Sequence, residues 1–551
     1  MVASDPQRPN RRELLRAARL VTTGWRSRAG RLLGRQLALG RQLVHRRFPQ
    51  SSPADRSSSP ERFSAGSSPV GWSMKRVWAR RELYTLKLPQ ASFDLSQSPL
   101  APGGDIYRAV SIEGTEIVPT YSNGAFVIGQ TADSTMTQTH YRLFAMRPFA
   151  TVEADFNITG SVYGIGMIEW MSGDGTKRIT VSAKRHSGMI AAELFVSGSS
   201  VASFGETAAD LTGDFTLIAQ MQGRSVLVWH RKRLVTTYIG RLDFTSQLDL
   251  RDPTNFNTWT LGITARGHTD MQVRCSRFEA NLTGNGHADP RIVSYEDGTP
   301  IQDGTTVWFL ATTRGGHIPD AFQGVYALDV SSGKITMAGA LFGDRNGDGI
   351  WRNDNAGHLF LDRNTQKWTW FAVGHSDYPN RRNNWVGTSM IDLRYGVNKV
   401  PVGQVSMPVG GNLWEDMYAV WDGAKWTATV SKDAIRTAWL ESTSGLAGPW
   451  TETRTAVGMN ETGQLLVKSG CKRYIVAGTA TSAFIVRDAD VAAMTDLGCI
   501  NVDFDTGGTR VWPALFALQQ PDGVRWFMLS FDRTSPAAKH SYGRLHFYRQ
   551  A

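Results

Sequence analysis

The sequence predicts an all-β protein in which an N-terminal antiparallel β-sandwich (jelly roll) is followed by a five-bladed β-propeller. Three observations carry this reading. Between about 95 and 283, short runs of alternating apolar and polar residues are separated by Gly, Asn, Asp and Ser turns. From 284 onward a two-strand pattern returns five times. Helical periodicity is nearly absent from both regions. At 551 residues the chain is long enough for two or three domains, and the expected division is a basic extension and linker over 1–90, a sandwich over 91–283 and a propeller over 284–551.

The extension comes first. Residues 1–80 hold 17 basic and 4 acidic side chains, so the formal charge of +11 belongs to this segment and the remaining chain is close to neutral. A groove that tracks phosphates needs clustered Lys and Arg in the folded region, so nucleic-acid binding by the folded domains is not expected. The run from Arg11 to Phe48 mixes Arg with Leu, Ala, Val and Trp at helical spacing, and a Ser/Pro-rich stretch follows it. Asn10 to Arg16 resembles a twin-arginine export motif, but Arg19, Arg26 and Arg28 interrupt the apolar region that should follow. A start of translation at Met74, an anchor to an anionic surface and a solvated tail are the other readings of this segment. No uncharged apolar run reaches the roughly 20 residues of a membrane helix. Cys275, Cys471 and Cys499 are far apart and odd in number, which argues against a disulfide scaffold or a zinc finger.

In the sandwich region the strand candidates include ATVEADFNIT, GIGMIEWM, RITVSAK, FTLIAQMQG, SVLVWHRKRLVTTYIG and MQVRCSRFEANL. The pair Gly213-Asp214-Phe215-Thr216-Leu217 and Ser225-Val226-Leu227-Val228-Trp229, with the closing MQVRCSRFEANL, resembles laminin-G-like and concanavalin-like domains. The resemblance implies glycan binding. Trp170, Trp229 and Trp259 are either sugar platforms or, as large aromatics usually are, core.

In the last region the first strands begin near His287, Asn353, Trp414, Asn460 and Thr509. Their partners are TTVWFLATT, QKWTWFAVG, AKWTATVSK, CKRYIVAGT and VRWFMLSFD. Further strand-like segments complete each unit, and four strands per unit around an axis make a propeller blade. The runs ADPRIV, NDNAGHLF, WEDMYAVWDGAKW and TAWLESTSGLAGPW resemble the five-bladed glycoside hydrolases of families 43 and 32. That resemblance implies a glycosidase in which Asp289 is the general base or nucleophile, Asp354 tunes the acid and Glu415 is the general acid. Aligned on apolar positions, Glu415 precedes Ala419 by four residues as Asp289 precedes Val293. This register puts Glu415 and Asp289 at one depth and turns Asp416 to the other face. Asp416 directly follows Glu415 where the family commonly has Gly or Ala, so it competes for the acid role. Glycoside cleavage requires one protonated and one ionised carboxyl group.

Several further residues are candidates. Arg314, His358, Asp416, Arg510 and Trp512 lie at or near blade starts and are candidates for substrate binding. His317, His358, His375 and His540 could bond sugar hydroxyls, hold a central ion or water, or be satisfied structural residues, and Trp385 and Trp414 are either funnel or packing residues. Asp344, Asn346 and Asp348 stand at positions 1, 3 and 5 of a D-x-N-x-D-G run that resembles the first half of a calcium loop. Asn355 occupies the distal ligand position, so bound Ca²⁺ and a plain turn both remain open. The function expected is hydrolysis of furanosidic or pentose-containing polysaccharide by an extracellular or virion-associated protein. A non-catalytic glycan-binding surface or phage tail protein is the alternative.

Overall fold

The computed structural model describes residues 68–80, 85–93, 109–113, 120–122, 125–129, 137–160, 163–267, 271–316, 319–377, 383–410, 412–457, 462–469, 472–479, 484–503, 511–520, 523–532 and 543–551. The expected helix and the twin-arginine-like run lie outside them. The described residues are almost wholly β-structure. A seven-stranded and an eight-stranded antiparallel sheet form the sandwich, and twenty strands form five blades of four.

The sandwich follows from period-2 alternation. Ile168 and Trp170, Ile179 and Val181, and Leu261 and Ile263 point from one sheet to meet Val152, Ala154, Phe156, Leu217 and Val273 from the other. Trp170, Trp229 and Trp259 are all buried, so the packing reading of these three aromatics holds. Each fully buried large side chain contributes about 1.5–3 kcal/mol of apolar burial.

Each blade is an antiparallel sheet whose first strand lies on the axis. In order, the first blade is Gly286–Ile292, Thr306–Arg314, Ala321–Asp329 and Lys334–Arg345. The second is Asn355–Asp362, Lys367–Val373, Asn384–Ser389 and Gly396–Gln404. The third is Trp414–Trp421, Trp426–Lys432, Arg436–Ser442 and Thr451–Val457. The fourth is Thr462–Ser469, Lys472–Gly478, Phe484–Asp488 and Asp496–Val502. The fifth is Val511–Gln520, Gly523–Phe531 and Leu545–Gln550, completed by Ser73–Arg80. The five inner strands touch in a closed ring.

That last strand corrects the expectation that 1–90 is extension and linker. Ser73–Arg80 pairs antiparallel with Leu545–Gln550 and parallel with Asp496–Val502. Leu88–Phe93 pairs with Gln272–Leu282 of the sandwich. The basic residues of MKRVWAR hid a bulged strand in which Met74 is almost fully buried and the Trp78 ring packs at a tilt against Phe547. Arg80 lies 4.4 Å from the Trp78 ring centroid and donates to Gly333 O, so the N-terminal strand fastens blade five to blade one. Trp72 belongs to the same core as Tyr548 and Met528.

Removing residues 1–67 should therefore leave the unfolding midpoint unchanged, whereas removing 1–80 should lower it steeply and expose the Leu545–Gln550 edge to aggregation. Equal thermal denaturation of the two truncations would show that the ring closes without this strand.

The sandwich also carries a buried polar pair. His140 and Glu169 are fully buried on strands that flank Thr260–Gly267. Thr264 Oγ1 is 2.9 Å and Glu169 Oε1 3.6 Å from His140 Nδ1. Burial pushes Glu169 up to about 7, and burial together with Arg142 and Arg178 brings His140 down to about 3. Because the folded-state value of Glu169 lies above its ordinary 4.5, its contribution to stability is present at acid pH and is lost as pH rises through 7. Glu169→Gln should thus gain on the parent between pH 5 and pH 8, by roughly 3 kcal/mol at most. Urea denaturation at the two pH values checks this, and a constant difference would contradict it.

Candidate active site on the propeller axis

The sequence enters every inner strand in the same way. Asp289, Ala356, Asp416, Gly463 and Trp512 all have positive φ, between 29° and 64°. At each of them the pairing with the second strand slips by one residue, which marks a β-bulge. A non-glycine residue held in the left-handed region costs about 1–2 kcal/mol, and four of these five positions carry that strain. The bulges set the equivalence between blades without reference to hydrophobic pattern.

This equivalence corrects the register read from the sequence. Ala288 pairs with Thr312 and Glu415 with Ser431, while Arg291 pairs with Leu310 and Tyr418 with Thr429. Asp289 therefore corresponds to Asp416, and Glu415 corresponds to Ala288. The strand Trp414–Trp421 is apolar at both Ala419 and Val420, so alternation alone fits either register. The expectation that Glu415 shares the depth of Asp289, with Asp416 turned away, fails on the bulge.

Two residues deeper on each strand stand Arg291, His358, Tyr418, Leu465 and Ala514. Arg291 is nearly fully buried. Its guanidinium donates to Asp416 O at 2.7 Å and Gln464 O at 2.8 Å, and lies 4.5 Å from the Trp512 ring and 5.2 Å from the Tyr418 ring. A side chain from blade one that reaches blades three, four and five lies on the axis. It forms the floor beneath Asp289 and Asp416. Burial lowers the Arg291 guanidinium to about 10, a fall partly offset by attraction to Asp416, Tyr418 and Asp289. Sequence reasoning missed Arg291, although a charged residue inside ADPRIV at a strand position that should be apolar was a usable signal.

The other predicted residues divide. Asp289 is 3.9 Å from Arg314, which is itself buried. Trp512 packs over Gly463, where any Cβ would meet the indole ring, and it takes the Arg291 cation on its face. His358 is fully buried against Tyr418, with Nε2 3.4 Å from Ser294 Oγ, and burial and Arg291 hold it well below its ordinary range. It packs beneath the ring level and does not line it. Arg510, His317 and His540 lie outside the described residues.

Asp354 stands two residues before the bulge position of its blade and is fully buried. Arg345 donates to it at 2.7 and 3.2 Å, and the Ser376 amide at 3.1 Å. Arg345 also pairs with Asp377 and lies 4.2 Å from the Trp385 ring. Asp354 is thus the anchor of a closed ion-pair network. Trp414 is core between blades two and three.

The candidate calcium residues face cations of the chain itself. Asp344 accepts the Gly349 amide at 2.8 Å and lies 3.2 Å from Lys399 Nζ. Asp348 accepts two bonds from Arg352, and Asn346 is exposed. Among the described residues no three His, Cys, Asp or Glu side chains gather as a metal site. This donor set, already taken by Lys399, Arg352 and the Gly349 amide, does not fit a calcium ion.

No protein-family model and no curated protein matches the chain. It is similar in part to solved structures. One is an exo-β-1,3-galactanase from Clostridium thermocellum, at 8% identity over 47% of this chain with a TM-score of 0.35; the chain spans 62% of that structure's length. Levansucrase from Bacillus subtilis matches at 11% identity over 48% of this chain and 86% of that one, with a TM-score of 0.37. A carbohydrate-binding module from Bacillus subtilis matches at 10% identity over 32% of this chain and 97% of that one, with a TM-score of 0.24. These are partial likenesses, and the reading of the site rests on its own residues.

Arg291→Met should destabilise the chain by roughly 1–3 kcal/mol, since Asp416 O loses its guanidinium donor and Gln464 O keeps the Thr429 hydroxyl at 3.4 Å. A denaturant midpoint equal to the parent's would remove Arg291 from the role of axial tie.

Proposed function

We propose that the chain is a glycoside hydrolase acting on furanosidic or pentose-containing polysaccharide at the mouth of the propeller axis. The observation that carries this reading is the pair of aspartates, Asp289 and Asp416, at equivalent strained bulges of blades one and three, with Glu415 beside them. Strain of this kind concentrates at working sites. At the same level, Gly463 of blade four takes the Trp512 indole against its backbone and Ala356 of blade two is buried, so the polar side chains at this level are the two aspartates.

In this reading Asp289 is the ionised carboxylate that activates water or attacks the anomeric carbon, and Glu415 delivers a proton to the departing glycosidic oxygen. The division of labour rests on position. Arg291 is attracted to both Asp289 and Asp416. Glu415 precedes Asp416 on the same strand and is partly exposed. Asp416 would orient the sugar. A polysaccharide substrate fits an extracellular or virion-associated setting.

A second reading keeps the funnel as a glycan-binding site without cleavage, as in a surface or phage tail protein. The closed pairing of Asp354 favours it, because the carboxylate expected to tune the acid is spent on Arg345.

Three variants separate the readings. Asp289→Asn should abolish hydrolysis and retain glycan binding. Glu415→Gln should lose about 10²–10⁴-fold in rate on an alkyl glycoside and be largely spared in bond cleavage on an aryl glycoside with a good leaving group. Asp416→Asn should lose less and show no such split. The reverse split would make Asp416 the acid, and a parent that binds glycan but releases no sugar would establish the second reading.

A further inference from the structure

The two faces of the sandwich differ in use. The outer face of the eight-stranded sheet lies on the propeller; Phe149 stacks on Phe342 of blade one, and most of the side-chain polar contacts fall on two turns, each joining the second and third strands of a blade. In blade one, Asp320 is almost fully buried; it accepts from Ser225 Oγ at 2.8 Å and from Arg241 at 2.7 and 3.3 Å, both in the sandwich. Gly315 N donates to Asp320 O, closing the turn one residue from Arg314. Gly316 sits against Leu227, where no Cβ would fit. In blade two, Ser376 O accepts from Arg224 at 2.9 Å and from Arg251 at 3.4 Å, again in the sandwich.

These turns lead to charged residues at the entries of blades one and two. The first carries Arg314, whose guanidinium is 3.9 Å from Asp289. The second presents the Ser376 amide to Asp354 and the Ser376 hydroxyl to Arg345 at 2.8 Å. The two are joined through Asn353, whose amide donates to Pro319 O and Ala321 O at 2.7 and 2.8 Å, just before Asp354. The sandwich residues are braced in turn. Asp249 grips Arg251 at 2.9 and 2.6 Å, the Arg251 stem fills the space over Gly223, and Arg251 O accepts the Trp351 amide at 2.9 Å.

We propose that the sandwich acts as a positioning element for the axial site, its Ser225–Arg241 pair clamping Asp320 and its Arg224–Arg251 pair clamping Ser376, so that Arg314 is held over Asp289 and Asp354 over Arg345. The catalytic part of this inference rests on the hydrolase reading; the clamp itself does not. A module serving only to capture polysaccharide needs a tether and a free face. This sandwich instead places four polar side chains on two turns of the propeller, and the charges it commits are those that would otherwise need water.

The experiment uses the full chain and the variants Arg251→Gln, Arg251→Lys, Arg241→Gln and the double Arg241→Gln/Arg251→Gln. Hydrogen exchange is followed in parallel with hydrolysis of 4-nitrophenyl arabinofuranoside and xyloside. Arg251→Gln should speed exchange at least tenfold over 374–377 and 353–355, and Arg241→Gln over 314–316, with the inner strands of blades three to five and the sandwich core unchanged. Arg251→Lys, which keeps a donor for Ser376 O, should restore much of the protection. The double variant should lose on the order of 10²-fold in kcat with KM within a few-fold, since small misplacements of reacting groups are costly. Unchanged exchange at both turns overturns the clamp. Loosened turns with parental kcat overturn positioning and leave the contacts merely structural. A parent inactive on both glycosides whose variants still loosen the two turns would refute the hydrolase reading while supporting the clamp.

Discussion

The inner strands of the five blades close into a ring, and buried carbonyls that face its centre need donors. In this chain one side chain reaches across the ring to supply two of them. Arg291 enters from blade one, bonds the backbone of blades three and four, and lies on the rings of Tyr418 and Trp512. A guanidinium suits the place because its planar fork offers donors in its plane and aromatic contact on its faces. Taking it out of water costs several kcal/mol, which the two carbonyls, two rings and two aspartates must offset. The Arg291 floor also decides what can stand above it. The nearly buried Asp289 and Asp416 have a fixed positive charge beside them, and burial, with Arg291 adding to it, holds His358 well below its ordinary range. The structural tie and the electrostatics of the candidate site are therefore one feature.

Much of the architecture was legible because strands advertise themselves by a period of two. Alternating runs gave the sandwich, and the fivefold return of paired strands gave the blades. The first strand of the fifth blade was not legible, for two reasons. It carries Lys75, Arg76 and Arg80 amid a strongly basic segment, so composition outweighed alternation. Its partner, Leu545–Gln550, is also more than 460 residues away, and no local pattern reports a pairing at that distance.

The site was read less well, and the error has a single physical source. A bulge inserts one residue and reverses the facing of everything before it. Asp289-Pro290 and Asp416-Met417 are both bulged, yet neither carries the glycine that usually flags a left-handed residue; only Gly463 does among the five. Register from apolar positions then slipped by one in blade three and matched Asp289 to Glu415. Asp354 was misplaced differently. It was taken as a funnel carboxylate from its closeness to the strand start, but Arg345, nine residues earlier, reaches it across the turn and buries its charge. The Asp-x-Asn-x-Asp-Gly run was ambiguous for a related reason, since the cations that fill it, Lys399 and Arg352, are invisible to a motif.

The distribution of charge joins these observations. Outside the basic N-terminal segment the chain is nearly neutral overall, yet several of its guanidinium groups stand at places where two structural units meet. Arg291 joins four blades, Arg345 ties blade one to blade two, Arg80 closes blade five on blade one, and Arg241 and Arg251 join sandwich to propeller. Apolar packing could supply stability at each of these places, but it is tolerant of small slides and rotations. A guanidinium with two or three fixed acceptors is not, because a shift of an ångström leaves a buried polar group unmet. The pattern is what a funnel assembled from separate strands requires: the carboxylates come from sequence positions more than 120 residues apart, and their relative placement depends on every joint between them. Hydrophobic cores within each blade make the ring stable; the arginines between units set where Asp289, Asp416 and Glu415 stand.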